Sequence, residues 1–64
     1  MLMQPGEVVR IRVPNWRKVA GEWVSEPTEH DVTLTGLGEG YIEFTGMGYR
    51  YPMTVSARQL VESI

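Results

Sequence analysis

The sequence predicts an all-β chain: a small antiparallel barrel of five to six strands with one 3₁₀ turn near the C-terminus. Three observations carry this. Apolar and polar residues alternate at Val9-Ile11-Val13, Val32-Leu34, Ile42-Phe44 and Tyr49–Val55, and a period of two marks a half-buried strand. Glycine-rich turns, Pro14 and Pro27 fall between these stretches, where the chain has to turn. Ser56-Ala57-Arg58-Gln59 has the capping-box spacing of serine and, three residues on, glutamine, which opens a helical turn.

Each element follows in order. Met1 to Gly6 reads as a lead-in closed by a Pro5-Gly6 turn. Glu7 to Val13 is the first strand, with Val9, Ile11 and Val13 on one face and Val8, Arg10 and Arg12 on the other. Pro14 is expected to end it, since proline has no N–H for a ladder. Asn15 to Gly21 reads as a polar loop with Trp16, Arg17 and Lys18 at its tip. Val19 to Ser25 has some strand character, but Trp23 and Val24 point to opposite faces and select no inner side. Glu26-Pro27 is expected to close that segment.

Thr28 to Thr35 is a clearer strand. His30, Val32 and Leu34 share one face; Glu29, Asp31, Thr33 and Thr35 share the other. The glycine-rich run at 36–40 turns the chain into Tyr41–Thr45, where Ile42 and Phe44 are expected to pack beside Val32 and Leu34. Gly46 and Gly48 bracket Met47 and predict a tight hairpin into Tyr49–Val55. Ala57, Leu60, Val61 and Ile64 also fit helical spacing, but so short a helix is marginal in water. One 3₁₀ turn followed by a short strand from Leu60 is the expected ending. The predicted core is Val9, Ile11, Val32, Leu34, Ile42, Phe44, Met53, Val55 and Leu60.

A chain of 64 residues makes one domain, spanning 1–64. Its core is small, and domains of this size often gain burial by association, so a homodimer or higher homo-oligomer is expected. The chain has no cysteine, which fits a reducing compartment. No apolar run approaches the roughly 18 residues that span a membrane, and no basic stretch followed by an apolar run opens the sequence, so no signal peptide is expected. These features point to a cytoplasmic protein without a membrane role.

The net charge is −2, unevenly spread along the chain. Arg10, Arg12, Arg17 and Lys18 stand against Glu7 alone in the first 20 residues. Glu22, Glu26, Glu29, Asp31, Glu39 and Glu43 follow without a Lys or Arg between them. Folding can interleave these charges or leave one basic and one acidic face.

The order of strand, long polar loop, meandering strands, helical turn and final strand resembles the SH3-like small barrel. The residues that carry the resemblance are Gly6-Glu7-Val8-Val9-Arg10-Ile11 and Val55-Ser56-Ala57-Arg58-Gln59-Leu60-Val61-Glu62. It covers nearly the whole chain, but it is architectural and implies no single function. Length and order are also similar to the type II dihydrofolate reductases, tetramers around a shared pore with a Val-Gln-Ile-Tyr run on a late strand. The nearest run here, Tyr49-Arg50-Tyr51-Pro52, lacks the glutamine and isoleucine, so no catalytic residue carries over.

Catalytic and metal chemistry have little to build on. His30 is the only histidine. Its neighbours Glu29 and Asp31 point to the opposite face of a strand, so the three cannot converge on a metal. Ser25 and Ser63 sit in no nucleophile elbow, and Ser56 is a cap. The run at 36–40 lacks the Lys-Ser/Thr ending of a phosphate loop. The expectation is a non-enzymatic module without cofactor or metal.

The partner-binding residues expected are Arg10, Arg12, Trp16, Arg17, Lys18 and Tyr49. They combine the main basic cluster with exposed aromatics, the residue types that dominate binding hot spots. The first reading is an accessory or regulatory subunit that holds a protein partner through this basic and aromatic face. The second is a nucleic-acid-binding regulator using the same arginines, although six acidic residues would repel a polyanion. Trp16 has two roles open to it: a lid folded over the core, or a contact residue.

Overall fold

The computed structural model describes residues 3–64. It is all-β: five antiparallel strands in one sheet, in the order β4-β3-β2-β1-β5. The strands are β1 (Val8–Val19), β2 (Glu22–Gly38), β3 (Tyr41–Thr45), β4 (Met53–Ser56) and β5 (Leu60–Ser63). A 3₁₀ turn, Ala57–Gln59, separates β4 from β5. Among the described residues no helix is long and apolar enough to cross a membrane.

The sheet coils around one small core. Val9 and Ile11 of β1, Val32 and Leu34 of β2, and Ile42 and Phe44 of β3 are the buried residues. Each strand contributes alternate positions, as a pleated backbone requires. Val13, Met47, Val55 and Leu60 pack half-buried around these six. Met53 was expected in the core but is 40% exposed. It belongs to β4, an edge strand whose outer side no further strand covers. The register shifts by a residue between Leu34 and Gly36 and between Arg10 and Ile11. Bulges of this kind bend a strand and let a short sheet curl.

β4 and β5 do not pair with each other, so the sheet is not closed. The 3₁₀ turn spans the gap between them. Ser56 Oγ accepts from Arg58 N at 3.3 Å and Gln59 Oε1 accepts from Ser56 N at 3.0 Å, the capping box expected from the sequence. Gln59 Nε2 donates to the carbonyl of Arg12, and Ala57 N donates to the carbonyl of Gly40. These bonds fasten the turn to β1 and to the β2–β3 corner. Gly38 makes that corner possible: a Cβ there would lie 2.1 Å from the Tyr41 ring.

The largest departure from the sequence reading is the segment 14–27. Pro14 does not end β1, residues 14–18 are not a loop, and Glu26-Pro27 does not interrupt β2. Twelve consecutive pairs join β1 to β2, from Val8↔Thr33 to Val19↔Glu22, with Pro14 directly opposite Pro27. Two facing prolines fit an antiparallel ladder only at a non-hydrogen-bonded pair, where neither N–H is needed. Their rings then sit on the two free edges, blocking unwanted strand addition. Ala20-Gly21 closes the hairpin with φ of 51° and 84°, the two positive values of a type I′ turn.

Tyr49–Val55 was expected as one strand, and only Met53 onward is strand. Positive φ at Gly46, Met47 and Gly48 turns the chain after β3, and Tyr49 N bonds back to the carbonyl of Gly46. The Pro5-Gly6 turn is present, with φ of 99° at Gly6, while Met1 and Leu2 of the expected lead-in lie outside the described residues.

Candidate functional site

The segment 14–27 leaves the body of the protein as a two-stranded ribbon. Every residue from Pro14 to Pro27 is exposed. Six residues per strand at about 3.3 Å each make a projection of about 20 Å. That matches the shape of the molecule, 43 × 24 × 21 Å.

Cross-strand register decides which side chains share a face. The pairs Pro14↔Pro27, Trp16↔Ser25 and Lys18↔Trp23 lie on one face. Asn15↔Glu26, Arg17↔Val24 and Val19↔Glu22 lie on the other, continuous with the core side. The first face carries two tryptophans, two prolines and one charge. The second carries Arg17, Glu22 and Glu26. The ribbon is therefore amphipathic without any core beneath it.

Trp16 is 61% exposed and Trp23 66%. The lid role for Trp16 is thereby excluded, because the tryptophan sits on the ribbon and off the core. Trp23, absent from the expected site, shares the ribbon face of Trp16. The two indoles are diagonal neighbours across the strands, close enough for large rings to interact. Lys18 Nζ stands 6.0 Å from the Trp23 ring centre, at the outer limit of a cation–π contact.

The expected basic face does not form. Arg10 Nε bonds Asp31 Oδ1 at 2.9 Å and its Nη1 bonds Glu62 Oε1 at 2.7 Å. Arg12 Nη2 reaches Glu29 Oε2 at 2.7 Å, and Arg17 pairs with Glu26. The hydrogen bond from Arg10 holds the Asp31 carboxyl below its ordinary range, outweighing the desolvation that pushes the other way. Antiparallel pairing interleaves the N-terminal cations with the acidic run that follows. Among the described residues, Lys18, Arg50 and Arg58 make no ion pair.

Of the six expected site residues, Arg10, Arg12, Trp16 and Lys18 share the outward face of β1. Arg17 lies on the opposite face of the ribbon, and Tyr49 lies in the β3–β4 loop on the core side. What the sequence could have signalled is the turn: Ala20-Gly21 between runs of equal length, with proline at matching distances on either side. Among the described residues no three His, Cys, Asp or Glu side chains gather as a metal site. His30 sits half-buried beside Thr28, with Nε2 3.1 Å from Thr28 Oγ1.

An exposed pair of indoles next to prolines offers a partner large contact surface, and tryptophan is among the residue types that dominate binding hot spots. Compared with known proteins, the chain matches no family model, no curated protein and no solved structure.

Proposed function

We propose that this protein is a non-enzymatic interaction module, an accessory or regulatory subunit that presents the tryptophan face of its ribbon to a protein partner. The observation that carries the reading is that both tryptophans of the chain stand exposed on one face of a ribbon with no core to bury them. Large exposed apolar patches on a folded protein commonly mark interaction surfaces. Arg10 and Arg12, with their carboxylate partners, extend the same face at the foot of the ribbon and give it a polar rim.

The nucleic-acid reading is weaker. Its arginines are already answered by carboxylates, and each unanswered cation is what buys a phosphate contact. The SH3-like reading is supported by the strand order and by the 3₁₀ turn between the last two strands, and the gap between β4 and β5 counts against a closed barrel. The reductase analogy loses its late strand, because 49–52 lies in a loop. A cytoplasmic location rests on the cysteine-free composition. Self-association as a symmetric dimer rests on Val8, Val24, Leu37, Val61 and Ile64, apolar residues left exposed.

The test is affinity capture from native extract with the wild-type chain and with Trp16→Ala/Trp23→Ala, each with and without nuclease. A protein captured by the wild type, lost with the double variant and unaffected by nuclease supports the reading. Capture that survives the double variant, or that nuclease abolishes, overturns it.

A further inference from the structure

The tryptophan face runs from the tip of the ribbon to its foot as successive cross-strand rows. In order they are Lys18↔Trp23, Trp16↔Ser25, Pro14↔Pro27 and Arg12↔Glu29. Each row sets a residue of β1 against its complement on β2. A cation faces a ring, a large ring faces a small hydroxyl, a proline faces a proline, and a cation faces an anion. Arg12 and Glu29 pair at 2.7 Å yet keep 56% and 40% of their side chains exposed, so each has a side free for a second contact. The facing prolines keep the ribbon's edges from adding a strand and leave the face as the surface that can be covered.

Taking the interaction reading as given, we infer that this face binds the same face of a second copy of the chain, with the two-fold axis along the ribbon. A two-fold contact sets one patch on itself, so the patch must complement itself. Rotation about the ribbon axis lays β1 of one copy over β2 of the other, and every row then meets its own complement. Trp16 lies over Ser25, whose small side chain leaves space for an indole, and Lys18 lies over Trp23. At the foot Arg12 lies over Glu29, and the two arginines and two glutamates alternate in sign, so each charge has opposite charges beside it. Rotation about an axis across the ribbon lays β1 over β1, and Arg12 then meets no glutamate of the other copy.

The area is sufficient. A specific interface buries at least about 1,200 Å² in total. Trp16 and Trp23 are 61% and 66% exposed, and a large aromatic carries up to about 250 Å², so the indoles of two copies supply about 600 Å². The remaining side chains of the rows supply the rest at about 50 Å² apiece. Sheets packed face to face stand about 10 Å apart, a gap that indoles from both sides fill.

The experiment is sedimentation equilibrium of the full chain. The wild type should be a dimer at about 500 μM and a monomer at about 5 μM, the weak association of an interface at the small end of the range. Trp16→Ala/Trp23→Ala should remain a 7.3 kDa monomer throughout, with an unchanged circular dichroism spectrum. Arg12→Glu and Glu29→Arg, each alone, should weaken the dimer about tenfold, because each sets like charges across the interface. An equimolar mixture of these two variants in about 0.15 M salt should associate more tightly than either alone, since an acidic foot then meets a basic one. The pair within each copy stays broken in that mixture, so only contact between copies can restore association. A wild type that stays monomeric, a double tryptophan variant that still dimerises, or a mixture no tighter than its components overturns the inference. A monomeric wild type whose capture of another protein still needs both tryptophans overturns the second copy as partner and leaves the interaction reading standing.

Discussion

Replacing Trp16 by alanine separates a contact residue from a structural one. Trp16 is 61% exposed, so about two fifths of its side chain is covered. A fully enclosed aromatic buries up to about 250 Å², which puts the covered part near 100 Å². At about 25 cal/mol/Å² that is at most about 2.5 kcal/mol, an upper bound because the unfolded chain already covers part of it. The contacts are to the facing strand, where one cross-strand pair is worth about 0.2–1 kcal/mol. The expected loss is therefore below about 1 kcal/mol. Urea unfolding followed by far-ultraviolet circular dichroism reads it, with a slope of about 1 kcal/mol/M for so short a chain. The midpoint should fall by less than about 1 M with an unchanged slope. A loss of about 3–5 kcal/mol, the size of a core deletion, would refute the placement of Trp16 on a free ribbon.

Further outcomes follow from the same structure. Phe44→Ala should cost about 3–5 kcal/mol, a third or more of the total of about 3–10 kcal/mol for a chain of this length, read as a large fall in the midpoint of the same assay. Ala20→Asn should raise the melting temperature, because alanine at φ of 51° sits in a left-handed conformation that asparagine tolerates and that costs other residues about 1 kcal/mol. The Asp31 carboxyl should titrate below its ordinary range by NMR, and Arg10→Gln should return it upward. The sign for stability is fixed by that depression: the contribution is present above the unfolded carboxyl's titration and is lost as pH falls through the folded one. An Asp31 midpoint unmoved by Arg10→Gln would remove the ion pair.

Sequence alone determined the inner half of this protein. The six buried residues all stand at alternate positions of three strands, and alternation is a local property that pleating converts directly into faces. The capping box at Ser56 and Gln59 was legible for the same reason, its partners lying within one turn.

The ribbon was not legible, because what proline does in a strand depends on the strand opposite. Pro14 read alone is a stop; Pro14 facing Pro27 occupies a pair that needs no N–H. Trp23 and Val24 selected no inner side because on the ribbon neither side is inner. The basic cluster likewise dissolved on folding: Arg10 meets Asp31 and Glu62, 21 and 52 residues away. Local pattern tells each residue which way to point, but only the register of distant strands decides what it points at. That register therefore turned an expected basic loop into a neutral, tryptophan-bearing arm.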